Sequence, residues 1–368
     1  MPVKPVSEWA INNGSQTGES LVPSLVKAAS AEVERSPAPV KDTNRVPALD
    51  FTKGALVLIM VLYHWMNYFI IANGSVYKYL RFLTPSFIFI TGFLISNVYR
   101  AKYDIGGMRV ASRLVTRGLK LIGIVLVLNV LENSVLVKGF EIRKVSEVSS
   151  GRALLSYLTG TSPVAFAVLI PIAYLLIFSA GLLPAAKAHR SVLNIVCAIT
   201  VACALVSDLM SLQSGYLQIF SLGMLGVSTG CIAITRINNV VRHVSPVIAA
   251  YVLYLMALTW WNDSYALQVP GVCLSLAIIY RLGLENTAPP RIYSLVVLLG
   301  RYSLFAYIVQ IVILQILRKT LRPFGLGADV GITAFFAAAT LTIISVGLTD
   351  YARRRVSGVN RLYNVVFS

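Results

Sequence analysis

Charge is what this chain has least of. Charged residues fill only 13% of its 368 positions, against about 25% in an ordinary soluble domain, and mean hydropathy is +0.74. A conventional water-soluble fold is excluded for most of the chain. Cysteine is scarce as well. Cys197, Cys203, Cys231 and Cys273 show neither paired metal-ligand spacing nor a disulfide framework, and they read as small apolar filler. The alternating ten-residue segments of a membrane barrel are missing. The N-terminus lacks the basic start and apolar core of a signal peptide.

Long apolar runs are what the chain has in abundance. A membrane-crossing helix needs about 20 mostly apolar residues. Such runs lie near 51–73, 78–99, 114–137, 163–183, 191–210, 216–235, 245–262, 265–283, 295–317 and 330–350. The expectation is an all-α fold, a polytopic integral membrane bundle of about ten transmembrane helices over 47–352. Positions 1–46, with "SEWAINNGSQTGES" and "ERSPAPVKDTN", cannot bury enough apolar surface to fold and read as a disordered tail. Positions 353–368 read as a basic C-terminal tail. Lys and Arg are denser in alternate loops, as around Arg109, Arg113 and Arg117 and again at Arg353, Arg354, Arg355 and Arg361. That bias puts both termini in the cytoplasm. The net charge of +17 is then topogenic. The lipid bilayer is the expected partner, and no nucleic-acid module is legible. Asn73 and Asn262 match the glycosylation pattern but lie too close to the membrane to carry weight.

The first span carries the least lipid-like chemistry: "ALDFTKGALVLIMVLYHWMNYF". At 3.6 residues per turn, Asp50, Lys53, Val57, Met60, His64 and Asn67 share one face. Asp50 suits an N-cap at the cytoplasmic mouth. Lys53 lies in the first turn, where it neutralises donor charge or simply snorkels. His64 lies roughly 16 Å deeper along the axis. An ionisable group at that depth is a functional candidate, and imidazole is suited to accepting and returning a proton near neutral pH. The plainer alternative is a hydrogen bond to a neighbouring helix. No metal is implied, because a lone histidine lacks co-ligands.

Two further clusters follow. In "MRVASRLVTRGLKLIG", Arg109, Arg113 and Arg117 recur every four residues and line one helix face. Guanidinium forks grip phosphate, which suits a phosphate-rich donor such as coenzyme A. Topogenic anchoring or lipid headgroup contact would use the same residues. In "LGRYSLFAYIVQIVILQIL", Ser303, Tyr307 and Gln310 share a face, with Arg301 near the cytoplasmic start. Tyr and Gln there could orient a sugar hydroxyl or the histidine, or bond neighbouring helices. Thr91 lies in the second span beside Gly92. Glu132 lies at the outer side of the third, where an acid pairs with a base or faces a cavity.

In order, "RVPALDFTKGALVLIMVLYH", "FLTPSFIFITGFLIS", "SRLVTRGLKLI", "LGRYSLFAYIVQ" and "DYARRRVSGVNRLY" resemble the transmembrane acyltransferase superfamily. It comprises the acyltransferase 3 family and its heparan-α-glucosaminide N-acetyltransferase-like relatives. The resemblance runs from Arg45 to about Tyr363 and is fragmentary between Glu132 and Leu298. It implies a core of about ten helices and acyl transfer, usually of acetyl, from cytosolic acyl-CoA to a carbohydrate. His64 matches the family's histidine, and Lys53 stands where the family has arginine. Arg113 and Arg117 match its basic motif. Gly300, Arg301, Ser303, Leu304 and Tyr307 match its late motif, where Gln310 replaces a frequent histidine.

The resemblance therefore implies a multi-pass acyltransferase of the bacterial inner membrane. His64 would be general base or nucleophile, with Lys53 as a second catalytic residue about three turns away at the cytoplasmic mouth. Arg109, Arg113 and Arg117 would hold the acyl-CoA donor, and Asp50, Asn67, Thr91, Glu132, Arg301, Ser303, Tyr307 and Gln310 would support a glycan acceptor. No permanently bound cofactor is expected. Two other classes stay open: a proton-coupled or anion transporter, against which no inverted repeat is visible, and a non-catalytic relative, for which the Lys53 and Gln310 departures speak.

Overall fold

The structure is a computed structural model that describes residues 46–70, 77–102, 108–131, 168–188, 190–212, 215–261, 264–286, 289–321 and 328–367, with positions 151, 155, 158, 159 and 166. Glu132, Asn73, Asn262 and the expected tail over 1–45 lie outside the described residues. Thirteen α-helices follow one another in the described chain: α1 Pro47–Trp65, α2 Leu83–Lys102, α3 Met108–Leu131, α4 Leu169–Ala188, α5 Arg190–Leu209, α6 Gly215–Thr229, α7 Ile234–Arg242, α8 Val244–Trp260, α9 Tyr265–Glu285, α10 Pro290–Arg301, α11 Ser303–Leu321, α12 Ala328–Arg355 and α13 Ser357–Phe367. A π segment, Met66–Ile70, continues α1.

The protein is an all-α polytopic membrane bundle. Among the described residues eight helices are long and apolar enough to cross a membrane, or nine spans if α6 and α7 count as one. Every one of the ten expected runs maps to a helix, and three depart from a simple crossing. The sixth breaks after Thr229, where α6 and α7 meet at 104°. The seventh is α8, whose 17 residues reach roughly 25 Å, short of a hydrocarbon core of about 30 Å. The ninth run is also divided, because Tyr302 leaves helical geometry between α10 and α11. The C-terminal stretch is helical in its described part: α12 runs on to Arg355 and α13 follows.

Local chemistry accounts for the helix ends. Pro47 opens α1 and Pro290 opens α10, at positions where a missing N–H costs nothing. Asn286 ends α9 in the left-handed conformation, at φ 48°. Arg353, Arg354 and Arg355 close α12 against its C-terminal dipole. Hydroxyls inside spans turn back on their own helix. Thr52 donates to the Ala48 carbonyl at 2.8 Å, Ser86 to Phe82 at 2.6 Å and Thr342 to Ala338 at 2.7 Å. Each is thereby satisfied where no water is at hand.

We call the end where α1 begins the near end, and the other the far end. α10 packs tightly on the near end of α1. A Cβ on Gly300 would strike the Asp50 carbonyl oxygen, and one on Gly54 would strike the Val296 oxygen, so the two backbones touch. Tyr302, at the foot of α10, donates to Asp350 at 2.8 Å, which brings the end of α12 to the same near end. Trp65 Nε1 donates to the Gly331 oxygen at 2.5 Å and marks the far end. α2 and α4 lie inside the bundle, with 56% of their apolar windows buried, whereas α5 and α12 bury 22% and lie at the periphery. The central core gathers Met60 of α1, Leu83 of α2, Ile170 of α4, Leu222 of α6, Val272 of α9 and Tyr307 and Ile311 of α11.

Candidate functional site

The expected stripe on α1 divides into two separate places. At the near end Asp50 is 8% exposed, and its carboxylate pairs with Lys53 Nζ at 2.7 Å, one turn on. Next along the stripe come Val57 and Met60, 0% and 1% exposed, sealed by Leu299, Tyr302 and Ala306 on one side and the central core on the other. They interrupt the polar seam between Lys53 and His64. Asn67 ends the stripe, exposed at the far end, where it accepts a hydrogen bond from the Tyr77 hydroxyl at 2.9 Å.

His64 sits in an aromatic nest. Tyr63 meets it edge-on at 5.4 Å between ring centroids, Tyr68 stacks at 6.4 Å, and Tyr307 of α11 lies tilted at 6.2 Å. Phe87 and Phe166 pack on Tyr307 in turn, at 6.5 and 6.4 Å. The π segment begins two residues after His64, a backbone form that recurs at functional sites. His64 Nε2 is buried and has no hydrogen-bond partner among the described residues. Gln310, nearly one turn beyond Tyr307, is 0% exposed, and both its amide nitrogen and oxygen lack a partner there. A buried polar group left unpaired costs about 1–3 kcal/mol. Three such atoms on two packed helices are therefore an arrangement that a polar guest would relieve. The aromatic walls would exclude water, and the unengaged nitrogen could take a proton or form a bond.

The other candidates spread out. Arg109, Arg113 and Arg117 are all exposed on α3. They share the helical face of Val127 and Leu131, exposed by 58% and 52%, so the row points out of the bundle. α3 packs on α4 and α13. Arg301 is exposed at the end of α10, and Ser303 opens α11 half-buried. Thr91 donates to the Phe87 carbonyl at 2.8 Å and is spent on its own helix. Among the candidates, the structure brings His64 and Tyr307 into contact, with Gln310 close by on α11. Asp50 and Lys53 form a second pair. Among the described residues no three His, Cys, Asp or Glu side chains gather as metal ligands.

Several residues went unsingled in the sequence. Tyr68 follows His64 by four positions and was legible as a helical neighbour. Gln315, whose Nε2 donates to the Tyr68 hydroxyl at 3.4 Å, lies five residues after Gln310 and off its face. Arg318 places its guanidinium carbon 5.7 Å from the Tyr68 ring centroid. In the sequence it reads only as a loop charge. Comparison with family models, curated proteins and solved structures gives no match.

Proposed function

We propose that the protein is a membrane-embedded acyltransferase that moves an acyl group, acetyl in the simplest case, from cytosolic acyl-CoA to a hydroxyl or amine of a glycan. The observation that carries this reading is His64 Nε2, buried in an aromatic nest beside Tyr307 without a hydrogen-bond partner among the described residues. The ordered motifs that resemble the acyltransferase superfamily support it. In one course the acceptor hydroxyl gives its proton to Nε2 while its oxygen attacks the thioester carbonyl. The C–S bond breaks, and the CoA thiolate takes the proton from the imidazolium. In the other course Nε2 attacks the thioester carbonyl, the C–S bond breaks and CoA thiolate leaves, and the acceptor oxygen then cleaves the acyl-histidine while its proton goes to the thiolate. Both need a nitrogen free of competing bonds.

The near end is cytoplasmic in this reading, by the Lys and Arg bias, and the membrane is the bacterial inner membrane. The donor's phosphates lie on Arg109, Arg113 and Arg117. Val57 and Met60 block the stripe, so the acyl arm reaches His64 from beside α1. The acceptor comes from the far end. Gln310 and Tyr307 orient its hydroxyl.

A second reading, a proton-coupled or anion carrier, draws on the sharp break between α6 and α7. Purified protein in proteoliposomes, given radiolabelled acetyl-CoA and cell-wall or membrane glycans, separates the two. Labelled glycan supports the enzyme. Uptake without labelled product supports the carrier. Neither outcome would leave a non-catalytic relative.

A further inference from the structure

The His64 nest is closed on its near side by Val57 and Met60 and bordered on its far side by positive charge. Arg318, exposed in the last turn of α11, lies over the Tyr68 ring that stacks on His64. Arg81, exposed just before α2, is near enough for its charge to act on Tyr63, the ring edge-on to His64. Two guanidiniums from different parts of the chain thus border two of the three aromatic neighbours of one imidazole. Among those rings lies the unpartnered Nε2 of His64, and Gln310, three residues beyond Tyr307 on α11, is buried with its amide unpartnered among the described residues. A cationic rim around an aromatic, hydrogen-bonding interior matches a sugar that carries an anion: the ring stacks, the hydroxyls bond, and the acid meets the guanidinium.

We propose that the far-end mouth of the His64 site binds an anionic saccharide, one bearing carboxylate or phosphate, with Arg318 as its principal anchor and Arg81 beside it. This rests on the acyltransferase reading only in making that saccharide the acceptor, and the anion site can be tested apart from it. Arg318 also suits the C-terminal dipole of α11, and the experiment distinguishes that role.

The full chain in nanodiscs of neutral lipid is titrated, without donor, with a uronate-bearing and a phosphate-bearing oligosaccharide and with the carboxyl-reduced form of the first. Wild type is expected to bind at least one anionic form roughly tenfold or more tightly than the neutral form, the scale of one charge-assisted contact. Arg318→Gln is expected to erase that preference, and Arg318→Lys to restore part of it, with the preference shrinking as salt rises. Equal binding of all three sugars overturns the proposal. So does an Arg318→Gln protein that keeps the preference and loses only thermal stability, as a helix cap would. If the preference is found but no acetyl transfer to any of these sugars, the acyltransferase reading falls and the anion site stands. If transfer occurs without preference, the anion site falls and the enzyme stands.

Discussion

The ring centroids of His64 and Tyr307 lie 6.2 Å apart and join α1 to α11; His64 Nε2 and, one turn beyond Tyr307, the Gln310 amide are buried there without partners among the described residues. Packing alone would favour apolar residues at such a crossing. An unsatisfied imidazole and amide persist there at a cost, and a cost of that kind is expected where the chain is built to hold something else.

His64→Gln and His64→Ala are expected to lower acyl transfer by about 10²-fold or more, the scale of a lost general base. Folding should survive, because Nε2 makes no hydrogen bond with the described residues that could be lost. Turnover is measured alongside the melting temperature in detergent. Full turnover in a well-folded His64→Ala protein would remove the catalytic assignment.

The arginine row on α3 yields a different expectation. Arg113 and Arg117 are exposed on the outward face of α3. If they grip the donor's phosphates, alanine at either raises the Michaelis constant for acyl-CoA by the loss of a charge-assisted contact, about 1.5–3 kcal/mol. The acceptor's constant should stay put. A change confined to the acceptor rejects the donor placement. Kinetics that depend only on the anionic lipid content of the nanodisc assign the row to headgroups instead.

Lys53 is held by Asp50 at 2.7 Å, with side chains 19% and 12% exposed. The Asp50 carbonyl also lies against Gly300, where α10 docks. Lys53→Met would strand a buried carboxylate at that contact, and the expected loss is about 1–3 kcal/mol. Lys53→Arg should keep the pair. Denaturation midpoints of the two variants in one detergent decide it. Equal stability of the Met variant and wild type would mean that Lys53 merely snorkels.

The run lengths made the bundle legible, because lipid permits few other ways to bury so much apolar chain. They placed the end of α8 within two residues, but they could not show that α6 turns at Thr229, since hydropathy does not record direction. Helical periodicity placed Asp50, Lys53 and His64 on one face. It could not show that Val57 and Met60, on the same face, are sealed by α10 and α11. Periodicity orders residues along a helix and is blind to what packs on it. Arg318 and Gln315 were hidden for the same reason. Their partner, Tyr68, lies about 250 positions away in the chain. The C-terminal basic stretch stood out as a motif and as a charged tail, but nothing in it showed that it folds into a helix fastened to the bundle.

That stretch contains the best-defined polar cluster of the near end. Arg353 Nη1 donates to the Tyr302 hydroxyl at 3.2 Å, while Nε and Nη2 donate to Asn360 Oδ1 at 3.2 and 3.0 Å and Nη2 also to Asn364 Oδ1 at 3.1 Å. Its guanidinium lies 4.0 Å from the Tyr363 ring centroid. One side chain thus fastens α13 to the junction of α10 and α11. Lysine has neither the fork nor the flat face for this. Arg353→Lys and Arg353→Ala are both expected to free α13, at a cost of about 1–3 kcal/mol, and to expose the chain near Val356 to limited proteolysis. Burial pushes the Tyr363 phenol up to about 12, against the lowering pull of Arg353. A pKa raised above the ordinary value of about 10 stabilises the folded form below that pH, and the contribution is lost as pH rises towards the folded value. The fastening should therefore hold unchanged through neutral pH and loosen only in strong alkali. A proteolysis pattern the same in Arg353→Ala as in wild type would show that α13 is held by the membrane surface and not by this arginine.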